Sequence, residues 1–312
     1  MRKLIFTLFT FILTLSLFAQ NTPAANKNKR LWTTEGYFSF NIGQGGSRNW
    51  AAGSERFTLQ TAAYFNYQAT RKWRKNIWEN SLDLSYALTN SSSTGFRKTD
   101  DKIDFVSMFR HQVSKKDNVV GIGAWFNVRT QFHDGYDYTE TPKKRISGIM
   151  APGYLTLGPG FDIRVKKASL FVSPVAPRLI LFTNQPYSFN CQGGVKPDGS
   201  QEIPLSWHYN VDPVRKVRFE LGALVSVKYK CEVAKNITYS TRADFFSNYV
   251  DDPQNIDVFW TNVLHMKVNN WLIVNYNFDL IYDDDVKLFG KNHDSPGLQL
   301  KSLIGIGLSV KL

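Results

Sequence analysis

Apolar and polar residues alternate one for one through most of this chain, and beyond the first twenty residues no apolar run is long enough to cross a membrane as a helix. Between 271 and 283, Leu272, Val274, Tyr276, Phe278, Leu280 and Tyr282 share one face, while Asn275, Asn277 and Asp279 share the other. Successive side chains of a β-strand point to opposite faces, so such a segment belongs where an apolar medium meets water. The same pattern returns in 217–230, where Val225 and Val227 lie on the apolar face. It returns again in 57–68, and in the closing segment, where Leu300, Ile304, Ile306 and Leu308 oppose Lys301, Gly305 and Gly307.

Read this way, the chain predicts about twelve strands, near 32–43, 54–69, 76–90, 100–113, 117–132, 151–165, 168–183, 214–232, 236–248, 256–268, 271–283 and 299–312. The links between them alternate strictly. Short turns at 71–75, 114–116, 166–167, 234–235 and 269–270 are interleaved with long links at 44–53, 91–99, 133–150, 184–213, 249–255 and 284–298. Transmembrane barrels have this asymmetry, with short periplasmic turns and long outer loops, and lipid forbids an open sheet edge. The expected fold is therefore all-β: an antiparallel up-and-down transmembrane barrel of about twelve strands, monomeric, with the first strand paired to the last. The glycines at 121–123 and 305–307 fall on its inner face.

The first residues read as a targeting segment. Met1-Arg2-Lys3 is basic, Leu4 to Phe18 is apolar, and Ala19-Gln20 fits a cleavage point. Gln20 stands where a lipoprotein would carry cysteine. The expected organisation is a signal peptide at 1–19, a flexible periplasmic segment at 20–31 and a single outer-membrane barrel domain at 32–312. Export separates the chain from nucleic acid, the partner its net charge of +12 would otherwise suggest. The topology sorts the charges by side. Lys166, Lys167, Lys230 and Lys267 go to the short turns, and Asp100, Asp101, Glu202, Asp251, Asp283 and Asp284 go to the long loops. The expected partners are membrane lipids, with lipopolysaccharide at the acidic rim. Trp73, Trp78 and Trp271 near the turns, and Trp50, Tyr86, Trp260 and Tyr282 near the loops, predict two aromatic girdles.

The predicted lumen-facing set is Glu79, Asp83, Asp104, Arg110, Arg129, Asp162, Arg164, Arg178, Arg218, Glu220, Arg242, Asp244, His265 and Asp279. The two signs are nearly balanced, which fits either a salt-bridged filling or a selective pore. Leu272, Val274, Tyr276, Phe278, Leu280, Val225 and Val227 are predicted to face lipid. No histidine, cysteine or carboxylate spacing calls for a metal or another cofactor. Cys191 falls in an outer loop and Cys231 at the periplasmic end of its strand, too far apart for a disulfide, so both are expected to be unpaired.

The segment Asn292-His293-Asp294-Ser295-Pro296-Gly297 resembles the N-H-x-S-x-G motif of outer-membrane phospholipase A, also a twelve-stranded barrel, in which histidine activates serine. Here Leu298 follows the glycine where that family has arginine, and the strand map puts the motif in an outer loop. Catalysis by His293 and Ser295 is therefore the weaker alternative. A broader resemblance covers nearly the whole mature chain. Trp32 to Gly43 with the following Gly45-Gly46-Ser47-Arg48-Asn49-Trp50-Ala51-Ala52-Gly53, Trp73 with the 78–86 run, the S-P-V-A-P-R core of 170–178 and the closing Gly305 to Leu312 resemble an uncharacterised Bacteroidota family of exported proteins, a domain of unknown function. That resemblance implies an outer-membrane barrel and no particular activity. The expected role is a small-solute channel or a structural membrane protein. The alternatives are a lipid-active enzyme on the same fold and a secreted soluble β-protein that binds ligands.

Overall fold

The computed structural model describes residues 31–47, 55–113, 119–138, 143–183, 195, 198–290 and 295–311. The expected signal peptide, most of the 20–31 segment, Trp50, Cys191 and His293 lie outside them.

Twelve long strands close into one antiparallel ring. They are β1 (Trp32–Gly46), β2 (Phe57–Trp73), β3 (Asn76–Ser91), β4 (Gly95–Gln112), β5 (Val120–Thr130), β8 (Gly153–Val165), β9 (Ala168–Leu181), β10 (Val217–Ala234), β11 (Ile237–Asn248), β12 (Asp257–Lys267), β13 (Leu272–Tyr282) and β14 (Gln299–Lys311). Neighbours in the ring follow chain order, and β14 returns to β1. The link between β5 and β8 holds a small two-stranded ribbon, β6 (Gly135–Asp137) with β7 (Lys144–Ser147). This structure inside the 133–150 link gave no alternation signal, because each strand is too short to show a period.

Turn chemistry explains the tight end of the barrel. Arg74, Lys166 and Asn236 adopt positive φ, as two-residue hairpin turns require. The Asn269 side chain accepts hydrogen bonds from the backbone N–H groups of Trp271 (2.9 Å) and Leu272 (2.7 Å), which closes the β12–β13 turn. The turn expected over 71–75 is narrower, since β2 runs on to Trp73. At the other end β4 begins at Gly95, so Asp100 and Asp101 stand within a strand, opposite Ala87 and Tyr86, rather than in an outer loop. A bulge between Ala87 and Leu88 lets the ladder continue beyond the point where the polar run 97–102 hides its alternation.

Alternation fixes which side chains look out. Phe40, Trp78, Phe109, Ile122, Phe161, Phe219, Val227, Trp260, Tyr276, Ile304 and Leu308 are all exposed around the ring. An outer surface this apolar does not suit water and suits hydrocarbon. Tyr276 and Val227 are exposed and Leu272, Val274, Phe278, Leu280 and Val225 half-exposed, while Ile273, Asn275 and Asp279 of the same β13 are buried. Gly121 and Gly123 meet the Arg110 side chain and the Phe109 carbonyl oxygen, and Gly305 and Gly307 meet Asn41. At these four positions the inner wall has no room for a side chain.

The inner face also carries an apolar cluster: Val106, Met108, Trp125, Phe171, Ala176, Leu224 and Phe246. Burying each large member stabilises the fold by about 1.5–3 kcal/mol. The cluster sits where β8 and β9 lose regular pairing. The ladder slips between Thr156 and Phe161, across Gly158-Pro159-Gly160, opposite the Ser173-Pro174-Val175-Ala176-Pro177 stretch. Proline cannot donate to the ladder, and Ser173 instead donates its hydroxyl to the Pro159 carbonyl (2.7 Å). The bulged wall holds Phe171 and Ala176 against the cluster, so one side of the barrel is filled.

Candidate functional site

The filled side and the open side of the lumen are organised by four ion-pair groups. In the first, Asp104 is 2 % exposed and receives Arg242 and Arg129 (3.5 Å). Arg129 (3.2 Å) and Arg242 (3.1 Å) both also reach Asp244. Asn127 donates to Asp104 (2.6 Å) and Ser226 to Asp244 (2.7 Å), which leaves this β4–β5–β10–β11 network well satisfied. In the second, Asp162 bridges Arg110 and Arg164 (both 2.6 Å), and Arg164 grips Glu79 with two hydrogen bonds (2.7 and 2.8 Å). That fork spans the lumen from β8 to β3.

The third group lies toward the long loops. Arg178 pairs with Glu220 and with Asp257 (2.5 Å), and its guanidinium stacks 3.9 Å from the centre of the Phe246 ring. Arg218 reaches Glu220 (3.2 Å), Asp251 (3.1 Å) and Asp285 (2.8 Å). The fourth is a latch on the opposite wall. Lys301 of β14 contacts Asp100 and Asp279 (both 2.7 Å), and Lys102 reaches Asp279 at 3.3 Å.

Twelve of the fourteen expected lumen residues thus fall into shared ion-pair groups on the inner face. Asp83 is held by Asn66 of the neighbouring strand, and His265 bonds Asn275 (2.8 Å) beside the Tyr37 ring (centroids 4.9 Å apart). Sequence reading left Lys102 and Asp257 unassigned, gave Asp100 to a loop and did not carry Lys301 into the lumen set. Lys301 was legible as a polar-face residue of the last strand. Asp257 was hidden by its place at the strand's first position.

Above the third group, the long loops close over the barrel. Ala151, Phe182, Leu205, Tyr209, Val211 and Val286 pack with Ile180 into a second apolar cluster. Tyr209 donates to the Ile146 carbonyl (2.7 Å), and Lys287 N–H donates to the His208 carbonyl (2.7 Å). Three carboxylates, Asp257, Asp283 and Asp284, have oxygens within 4.8 Å of one another at the edge of this cap and are the residues placed to share a cation. Arg178 supplies positive charge there, and Asn255 donates to Asp284 (2.7 Å). Burial, with Asp285 and Glu220 nearby, pushes the Asp283 carboxyl up to about 6 against the pull of Arg178. At the cap's far edge, the N–H groups of Val214 and Arg215 hold the exposed Asp212 carboxyl below its ordinary range. Glu202 and Asp283, expected in a solvated acidic rim, are 4 % and 1 % exposed and belong to the packed cap instead.

Among the described residues, a cavity of about 710 Å³ runs along the inner face, walled by residues of β1–β4 and β8–β14. Lys166, Lys167, Asn236 and Asn269 of the short turns are part of its wall, so it opens at that end. From there it extends past Glu79 and Asp83 to the Lys301 latch. Nine Lys or Arg residues line it against six Asp or Glu, which gives it a net basic field. Ser295, from the phospholipase-like motif, exchanges backbone hydrogen bonds with Phe289 (3.0 and 3.1 Å) in the loop before β14. Ser295 therefore lies in a loop and not on the barrel wall. Cys231 is a free thiol.

Against known proteins, residues 42–136 match the family described as "Protein of unknown function (DUF3078)". No curated protein matches. Among solved structures the chain is similar to the COG4313 outer membrane channel from Pseudomonas putida F1, at 8% identity and a TM-score of 0.37, over 94% of this chain and 100% of that one. It is also similar to the NanC porin (9% identity, TM-score 0.33, 87% and 98% covered) and to OmpF of Salmonella typhi in complex with daunomycin (8%, 0.27, 90% and 97%).

Proposed function

We propose that this chain is a monomeric outer-membrane channel whose path is the inner cavity and whose preferred solutes are small and anionic. The observation that carries this reading is the cavity: roomy, open among turn lysines and lined by more basic than acidic side chains. The apolar exterior supports residence in lipid, and the predicted signal peptide supports export. The filled side makes the path narrower than twelve strands alone would allow. The outer cap and the Lys301 latch lie between the cavity and the outside, so passage involves their movement. The barrel works without catalysis.

Purified protein in a planar bilayer under a KCl gradient tests this. The expected result is small, steady unit currents with a reversal potential on the chloride side. Changing Lys166, Lys167 and Lys267 to Glu moves that potential toward potassium, whereas Ser295→Ala leaves it unchanged. A bilayer that stays silent, or currents indifferent to the lysines, would overturn the reading.

A further inference from the structure

The ring is closed by unequal seams. β13 and β14 are joined by ten residue pairs, Leu272–Ile281 against Leu308–Gln299. β1 and β14 are joined by five, from Tyr37 with Lys311 to Asn41 with Gly307. The register would continue as Ile42 with Ile306, Gly43 with Gly305, Gln44 with Ile304, Gly45 with Leu303 and Gly46 with Ser302. Among the described residues none of these pairs is made, although both strands run on.

Three further observations mark this fork. Asn41, at the last made pair, is 5 % exposed, and neither of its amide atoms has a hydrogen-bond partner. A side chain built at Gly45 would meet nothing within 4 Å. On the outside, Ile42, Ile304 and Ile306 form an exposed apolar face beside the fork. Backbone groups left unpaired in hydrocarbon cost several kcal/mol each, so two facing bare edges are stable only if something polar reaches them. The cavity reaches the outer end of the fork at Lys301 of β14, next to Ser302, and runs along the paired half of the seam past Tyr37 of β1 and Tyr64 of β2.

We propose that the outer half of the β1–β14 seam is a lateral gate between the cavity and the surrounding lipid, and that it admits amphiphiles with one long acyl chain and an anionic head. The chain lies against Ile42, Ile304 and Ile306. The head meets the Asn41 amide and then the basic cavity at Lys301. The glycines at 43, 45 and 46 add no side chain to the passage, and Asn41 fills the space at Gly305. This inference rests on the barrel standing in a membrane, but not on its conducting ions.

The test is a protein with Cys191→Ser and Cys231→Ser that carries Ile42→Cys and Ile306→Cys, reconstituted in vesicles with a diazirine-bearing palmitate. Oxidation joins the next pair of the register and zips the seam. Light-induced labelling is mapped by mass spectrometry at Tyr64, whose side chain lies inside. The expected result is labelling of Tyr64 in the reduced protein, at least a tenfold loss on oxidation and full return on reduction. The reduced form is its own folding control. Equal labelling in the two states, or none at Tyr64 in either, would overturn the gate. Failure of the channel reading shows separately, as absence of chloride current in the same reduced protein.

Discussion

Arg178 is the side chain whose loss tells most about how the lumen is held. It is 3 % exposed, is paired with Glu220 and Asp257, which are 0 % and 4 % exposed, and stacks on Phe246. Arg178→Met keeps much of the volume but removes the charge. Glu220 then keeps Arg218 at 3.2 Å, whereas Asp257 is left beside Asp283 and Asp284. Removing one partner of a buried ion pair costs about 3–5 kcal/mol, chiefly because the other charge is stranded. Making the stranded Asp257 neutral with Asp257→Asn, and Glu220 neutral with Glu220→Gln, which leaves Arg218 its pairs with Asp251 and Asp285, brings the triple variant to within about 1–2 kcal/mol of wild type. Urea unfolding in detergent micelles, followed by tryptophan fluorescence, measures both. A single variant that loses less than about 1 kcal/mol, or a triple variant no more stable than the single, would refute the reasoning.

Further expectations concern other parts of the barrel. Trp125→Ala, at the centre of the inner apolar cluster, costs about 3–5 kcal/mol in the same unfolding experiment. Trp125→Phe costs about 1 kcal/mol or less, because the indole N–H it removes has no hydrogen-bond partner. Lys301→Met takes the lysine partner from Asp100, leaves Asp279 with Lys102 and moves the bilayer reversal potential toward cations; an unchanged potential would put the latch outside the path. Asp283 holds its proton more tightly in the folded cap than in an unfolded chain. Its contribution therefore favours the folded cap below about pH 4 and is lost as pH rises through about 6. Hydrogen exchange at Val286 and Leu288 should quicken across that window in wild type and stay level in Asp283→Asn.

Most of the barrel was legible because period-2 alternation is a local property, and so is the contrast of short and long links. β13 shows this best: its outward and inward residues separate in the sequence as they do in space. The inner apolar cluster was not legible, because Val106, Met108 and Leu224 sit on faces that otherwise read as polar, and an apolar residue there resembles noise until its partners on other strands are known. The SPVAPR stretch stood out as a motif, but its meaning as a bulge depends on Gly158-Pro159-Gly160 of the adjacent strand. Asp100 was assigned to a loop because charged neighbours masked the period. The site's ionic residues were largely found from register alone, but their partners were not. Arg164 with Glu79 and Lys301 with Asp100 join residues 85 and 201 positions apart, and only closure of the ring brings them together.

Residence of the ring in lipid underlies every functional statement, and spin labels placed one at a time from Leu272 to Tyr282 in reconstituted vesicles test it most directly. Collision with dissolved oxygen should be high at 274, 276, 278 and 280 and low at 273, 275, 277 and 279, with the opposite order for a water-soluble nickel reagent at the cavity-facing Ile273 and Asn277. Accessibility without a two-residue period, or nickel reaching the outward positions freely, would contradict a membrane-spanning barrel.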